Sequence, residues 1–158
     1  MKRIIRLSLL VVCSFMMVAC SSELKEETAG FSPEFAEGAK VFNSGLQEHL
    51  INEGESYDKM ISSDIDALTL EEKQDIVRSA FDYNEFLNSI DLHPQNIKEE
   101  EIKDDFEEFK KDRIKANLAL VEYVKSGDKV DYYELEDYSH FASEHLEELI
   151  ENISVTNN

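Results

Sequence analysis

The sequence predicts an all-α protein, an up-down antiparallel bundle of about four helices. Three observations support this fold class. Apolar residues recur at spacings of three and four through most of the chain, which is the period of one helix face. The 158 residues include only five Gly and two Pro, too few for the many turns of a β-sandwich or barrel. Residues that cap helix N-termini precede the apolar stretches.

The first segment, residues 1–19, has the pattern of a secretion signal. Basic residues at positions 2, 3 and 6 precede an apolar stretch over 7–18, which is shorter than a membrane span. The stretch ends in the motif MVAC at residues 17–20. This motif resembles the lipobox of bacterial lipoprotein precursors, and the resemblance covers about the first 22 residues. The alternative is an ordinary signal peptide with a coincidental Cys.

The lipobox resemblance implies a lipid anchor on Cys20. In such precursors the Cys sulfur takes a diacylglycerol and a peptidase cuts before it, so Cys20 would become the first mature residue. Its acyl chains would hold the protein in the bilayer, on the extracytoplasmic face of the cell membrane. Cys13 would leave with the signal, so no thiol would remain for a disulfide, a metal site or a nucleophile. Residues 20–32 are then expected to be the lipidated start and a flexible linker.

The first helix is predicted to begin at Pro33, with Ser32 as the N-cap and Glu34 as an acid in the first turn. Gly54 either ends this helix or only weakens it, because an apolar pattern continues beyond it. The expected buried stripe consists of Phe35, Ala39, Phe42, Leu46 and Leu50.

The second helix is predicted to begin with the capping box formed by Thr69 and Glu72. It should stop near Leu92, because the residue before Pro94 is biased away from the helical region. The expected buried face consists of Ile76, Val77, Ala80, Phe81, Leu87 and Ile90.

The third and fourth helices are predicted on either side of Gly127. Pro94 and Asn96 start the third helix, which should stop at Ser126 and Gly127. The pair Asp131 and Glu134 is the expected cap of the fourth helix. Two sets of residues are expected to be buried: Ile102, Phe106, Phe109, Ile114, Leu118, Val121 and Val124, then Leu135, Tyr138, Phe141, Ala142, Leu146, Leu149, Ile150 and Ile153.

Short links between these helices favour sequential antiparallel packing over residues 33–154. A three-helix bundle with a longer first hairpin is the alternative. Beyond the signal, the chain is similar in composition to small acidic helical lipoproteins of Gram-positive bacteria.

The charge balance excludes one class of partner and favours another. The chain has 16 basic and 35 acidic residues, a net charge of -19. Cleavage before Cys20 would remove three bases and no acids, leaving 13 bases against 35 acids and a charge of -22. Such a surface repels nucleic acids and anionic lipid headgroups, so membrane attachment must come from the acyl chains. A cationic protein or peptide is the expected partner.

The chemistry-bearing residues predict neither an enzyme nor a cofactor site. No nucleophile elbow or Gly-rich phosphate loop occurs in the mature chain. Asp137, His140 and Glu144 share one helix face and are the densest set of metal ligands, but three ligands on one helix rarely close a site. We therefore expect no catalytic residue, no metal and no cofactor apart from the diacylglycerol on Cys20.

A cluster of tyrosines is the predicted interaction surface. Tyr132, Tyr133 and Tyr138 lie near the start of the fourth helix, and tyrosine is favoured in protein interfaces. The sequence therefore predicts a lipid-anchored binding or accessory module at the cell envelope, with immunity against a cationic peptide or toxin as one such role. The alternative is a structural or ligand-sequestering surface lipoprotein without a dedicated protein partner.

Overall fold

Four long helices make up the described part of the protein. The computed structural model describes residues 30–62 and 65–156, so the signal segment and Cys20 lie outside the described residues. The helices are α1 (Pro33–Ser62), α2 (Leu70–Ser89), α3 (Ile97–Ser126) and α4 (Lys129–Thr156), with a short 3-10 helix (Ile65–Ala67) before α2. Within the described ranges no residue lies in a strand. The all-α prediction with four helices is confirmed.

Three of the four helix starts lie where the sequence places them, and two of these starts have the predicted side-chain cap. The carbonyl of Ser32 accepts from the N–H of Ala36, which opens α1. Thr69 and Glu72 form both hydrogen bonds of the capping box at α2. The Asn96 side chain accepts from the N–H of Glu99 at the start of α3. The Thr69 and Asn96 side chains each satisfy a backbone N–H that no helical carbonyl can reach. The Ser32 side chain, predicted to be the N-cap of α1, instead donates its hydroxyl hydrogen to Glu99.

Two predicted boundaries are wrong. Helix α4 begins at Lys129, two residues before the expected cap at Asp131, because Asp128 accepts from the N–H of Val130 and caps the helix instead. Asp131 accepts a hydrogen bond from the Ser126 hydroxyl. Helix α2 ends at Ser89, three residues before Leu92. The backbone is extended at Ile90. The side chains of Ile90 and Leu92 belong to the core, although both residues lie in the link to α3.

Gly54 does not end α1, which continues to Ser62. A side chain at Gly54 would meet no atom within 4 Å, so the position is open and the helix passes it without a close contact. By contrast, Gly127 ends α3 with a φ of 69°, in the left-handed region that glycine adopts most easily. Its N–H donates to the carbonyl of Tyr123 at 2.8 Å, which closes the last turn.

Neighbouring helices run antiparallel. In the first hairpin His49 of α1 stacks on Tyr83 of α2, while Gly38 lies beside Asp91 further along. In the second hairpin Lys115 of α3 lies over Tyr138 of α4. Helices α3 and α4 have the most extensive contact of any pair. The start of α1 and the α2–α3 link therefore lie at one end of the bundle, called the near end, and the α3–α4 turn lies at the far end.

Two apolar clusters fill the interior. The near core contains Phe35, Phe42, Leu46, Tyr83, Leu87, Ile90, Leu92, Ile102, Phe106, Phe109, Ala142, Leu146 and Leu149. The far core contains Ile65, Leu68, Ile76, Ala80, Ala116, Ala119, Leu120, Val121, Val124 and Leu135. On every helix that contributes to both clusters, the two sets occupy separate stretches. Polar side chains lie on the helices between them.

Three residues expected in the core are half exposed. Phe81, Leu118 and Phe141 leave 46%, 47% and 46% of their surface in contact with solvent. Tyr83 takes the buried place on α2 that Phe81 was expected to share, with 2% of its surface exposed. A helical stripe wider than the seam between two helices explains the difference, because residues at its edge stay outside the contact.

Candidate functional site

The tyrosines at the start of α4 do not all lie together. The rings of Tyr132 and Tyr133 are 6.2 Å apart, and Tyr123 of α3 lies 5.2 Å from Tyr132. Tyr133 is exposed to 59%, and Val130, three residues before it on the same helix face, is exposed to 61%. These four side chains, called the tyrosine patch, form an aromatic surface near the far end.

Tyr138 has a different environment. It packs against the far core, and the ammonium group of Lys115 lies 5.0 Å from its ring centre. This contact joins α3 to α4 through a cation–π interaction. Tyr138 is therefore a packing residue of the α3–α4 hairpin rather than a member of the patch.

Tyr132 is held in the patch by its hydroxyl group. The hydroxyl donates to a carboxylate oxygen of Glu136 at 3.0 Å, one helical turn along α4. Partial burial together with this bond to Glu136 raises the pKa of Tyr132 to about 12. The phenol is therefore neutral at every physiological pH, so the patch offers aromatic area and a hydroxyl group rather than a charge.

The residues weighed as metal ligands lie in solvent. His140 approaches Glu144 at 3.4 Å, with side chains exposed to 60% and 56%. Across residues 30–62 and 65–156, no three His, Cys, Asp or Glu side chains converge in a way that would hold an ion. Asp137, although on the same helix face, does not complete such a group.

A buried ion pair lies between the two cores. The guanidinium group of Arg113 on α3 donates to the carboxylate of Glu53 on α1, with side chains exposed to 5% and 11%. Burial raises the pKa of Glu53, and the positive charge of Arg113 opposes that rise. Breaking one side of such a pair leaves an uncompensated buried charge, which is strongly destabilising.

Hydrogen-bonded side chains surround this pair and complete a polar layer across the bundle. The amide of Asn117 donates to the side-chain oxygen of Asn84 at 2.8 Å, joining α3 to α2. The hydroxyl groups of Tyr57 and Ser139 are 2.8 Å apart and join α1 to α4. All four helices therefore contribute to the layer. The layer fixes their register, because sliding one helix along another would leave these buried polar groups without hydrogen-bond partners.

The polar layer retains two buried atoms without a hydrogen-bond partner. They are the hydroxyl oxygen of Tyr83 and the Nε atom of Arg113. The Arg113 guanidinium lies 5.9 Å from the centre of the Tyr83 ring, so both atoms belong to one neighbourhood. The polar layer thus contains polar atoms whose hydrogen bonds its own side chains do not complete.

Next to the polar layer, a groove of about 420 Å³ separates α1 from α2. Towards the near end of the bundle the two helices approach closely. A Cβ at Gly45 would clash with the Phe86 ring, so glycine is needed for that close approach. The walls are lined by Glu48, His49, Asn52, Glu55, Ser56 and Lys59 of α1, and by Asp75, Ile76, Arg78, Ser79 and Asp82 of α2.

His49 forms part of the groove and is fixed by aromatic stacking. Its ring lies 4.9 Å from Tyr83 with an interplanar angle of 5°, and 4.6 Å from Phe86. Burial lowers the pKa of His49, although the carboxylates of Glu48 and Asp82 act in the opposite direction. The imidazole is therefore neutral near pH 7, and acidic groups from both helices lie near it.

The sequence analysis did not single out the groove or the buried ion pair. One signal was available for the pair. Arg113 falls in the apolar stripe of α3, four residues after Phe109 and three before Ala116. A charged residue at a stripe position predicts a buried partner on another helix. The groove has no comparable signal, because it depends on how far two helices separate.

No protein-family model, no curated protein and no solved structure matches this chain. Among the described helices, none combines the length and apolar character needed to cross a bilayer. Function must therefore be argued from the sequence motif, the charge and the surfaces described above.

Proposed function

We propose that this protein is a lipid-anchored binding module at the outer face of the cell membrane, and that it binds a cationic protein or peptide. The observation that carries the proposal is the charge of the mature chain, 35 acids against 13 bases. A field of this sign accelerates encounters with cationic partners and discourages polyanions. The lipobox-like motif at residues 17–20 supports the anchor on Cys20.

The tyrosine patch is the proposed contact surface, because steering by charge alone raises rate more than affinity. Tyr133 and Val130 supply exposed apolar area, and Glu134, Glu136 and Asp137 lie beside them on α4. Aromatic anchors with an acidic surround suit a partner that combines basic and apolar side chains.

The position of the patch agrees with attachment through the N-terminus. The chain enters the bundle at Ser32, at the near end, whereas the patch lies near the far end. Helix α4 has 28 residues and spans about 40 Å. A protein tethered at the near end therefore presents the patch to molecules arriving from outside.

The anchor is tested with Cys20→Ala. We expect the variant to lose metabolic labelling by a fatty acid and to accumulate as an uncleaved precursor, because the sulfur is the acylated atom. Cys13→Ala, which removes the other cysteine, is the control and should label normally. Labelling of the Cys20→Ala variant, or a mature wild-type chain that begins elsewhere, would contradict the anchor.

The partner is tested by crosslinking on intact cells, followed by measurement of association at several ionic strengths. We expect a basic partner whose association rate falls with added salt. The double variant Tyr132→Ala, Tyr133→Ala should bind about tenfold more weakly.

The control for the patch is Phe81→Ala, which removes an equally aromatic, half-exposed side chain from α2. This variant should bind like the wild type. An acidic partner, or a rate indifferent to salt, would contradict the charge argument. Normal binding by the double tyrosine variant would remove the patch.

A further inference from the structure

We propose that the groove between α1 and α2 binds a basic side chain of a peptide, its ammonium or guanidinium group lying between Glu48 and Asp82 above the His49 ring. The inference rests on the proposed function, because it assigns a second contact to the same cationic class of partner. The site is separate from the tyrosine patch, which lies on α3 and α4.

The groove is large enough to hold a long side chain. Its volume of about 420 Å³ is within the range of ligand sites, and its base includes Ile76 and Ser56, which are almost fully buried. The hydroxyl of Ser56 donates to the carbonyl of Asn52, so this buried hydroxyl at the bottom of the groove already has a hydrogen-bond partner. The stacking of His49 on Tyr83 and Phe86 fixes the wall beside it.

The charges of the groove select a cation. Four carboxylates line it, against two basic side chains, Lys59 and Arg78. Arg78 is already paired with Asp75 at 3.2 Å. Glu48 and Asp82 project from facing helices, and within the described residues neither forms an ion pair. An incoming ammonium group would thus meet two carboxylates that have no other cation.

The His49 ring, which lines the groove beside these carboxylates, also favours a cation. A positive group over an aromatic face is attracted by the negative face of the ring. Burial lowers the pKa of His49 and keeps its ring uncharged near neutrality, so the imidazole does not repel the incoming group. A long lysine or arginine side chain can place its methylenes along the groove while its charge lies at the carboxylates.

The experiment titrates the full chain, held in a non-ionic detergent, with octalysine while the NMR signals of the His49 ring are followed. Spermidine is titrated separately, since it offers ammonium groups without a peptide. We expect octalysine to shift the His49 signals. A shift with spermidine as well would mean that the groove accepts the ammonium group from either source, which also supports the site.

The variant Glu48→Gln, Asp82→Asn should weaken octalysine binding at His49 about threefold to tenfold, because two charge contacts are removed. The matched control is Glu147→Gln, Glu151→Gln, which removes two exposed acids from α4. Circular dichroism checks that each variant keeps its helices. The control should bind like the wild type.

Unshifted His49 signals, or equal weakening in the control variant, would overturn the groove site. Octalysine shifts confined to Tyr132 and Tyr133 would also overturn it, while leaving the proposed function in place. Conversely, failure of the crosslinking experiment on cells would remove the proposed function without altering the titration at His49.

Discussion

Glu99 shows how one buried side chain can set the geometry of a whole bundle end. Only 1% of its surface is exposed, and its carboxylate accepts from the N–H of Ser32 at 2.6 Å and from the N–H of Gln95 at 2.6 Å. The Ser32 hydroxyl adds a third bond at 3.0 Å. One carboxylate therefore joins the start of α1 to the start of α3. Burial alone would raise the pKa of Glu99, but the hydrogen bonds outweigh it and the pKa is lowered.

The lowered pKa of Glu99 predicts acid-sensitive stability. A carboxyl group with a depressed pKa in the folded state contributes stability that is present above its unfolded pKa of about 4.3 and is lost as the pH falls through the lower folded value. We expect Glu99→Gln to lower the unfolding free energy by about 1–3 kcal/mol at pH 7, since an amide cannot accept all three bonds. Below about pH 4 the difference from wild type should shrink, as urea unfolding across pH would measure.

Glu100→Gln is the control for this prediction, because Glu100 lies in the same first turn of α3 but is exposed. Its substitution removes the same charge from the helix N-terminus without touching Ser32. If both variants lost the same stability at pH 7, the effect would belong to the helix dipole and not to the buried bonds.

Individual residues were predictable where a short stretch of sequence decides their environment. The Thr69 and Asn96 side chains accept from a backbone N–H three residues further on, so their roles followed from spacing alone. Phe81 and Leu118 were wrongly expected in the core, because burial at the edge of a stripe depends on the neighbouring helix. The partners of Glu53 and Glu99 lie 60 and 67 residues away in sequence, at Arg113 and Ser32. No local pattern identifies such a pairing.

At the scale of an element, α2 offers the clearest test of a helix start. Thr69→Ala removes the side-chain oxygen that accepts from the N–H of Glu72 at 3.2 Å. We expect the melting temperature to fall by about 4 °C, because a lost N-cap leaves an unsatisfied donor in the first turn. Thr69→Ser keeps the oxygen and should melt within about 1 °C of the wild type. Equal melting of the alanine and serine variants would show that the cap contributes nothing to stability.

The groove was not predicted from the sequence because it depends on how two helices, α1 and α2, lie against each other. The stripes on α1 and α2 predict that the helices pack, and they approach closely at Gly45, which lies against the Phe86 ring, while Gly38 lies against the α2–α3 link. Further along, His49 and Ser56 replace large apolar residues on the inner side of α1. Period and spacing describe one helix at a time, whereas a groove is a property of the distance between two. The α3–α4 hairpin was predictable because Gly127 limits its turn.

For the whole molecule, the distribution of ion pairs determines how the net charge acts. Four basic side chains pair with an acid three residues earlier on their own helix: Arg78 with Asp75, Lys110 with Glu107, Lys115 with Asp112 and Lys125 with Glu122. Such pairs contribute little to stability and connect no two helices. The buried pair of Glu53 and Arg113 does join two helices. With a net charge of -19, repulsion remains among the acidic side chains that these pairs do not neutralise.

This charge distribution predicts that added salt stabilises the protein. Screening weakens the repulsion among the acidic side chains of the four helices more than it weakens a few short-range pairs. We expect the melting temperature at neutral pH to rise between about 0.01 M and 0.3 M sodium chloride, where the screening length falls from about 30 Å to below 8 Å. Potassium fluoride at equal ionic strength should give the same rise, because screening depends on ionic strength and not on the identity of the ion. A melting temperature that stays constant or falls would mean that the acidic side chains are compensated locally and that surface repulsion does not limit the stability of the fold.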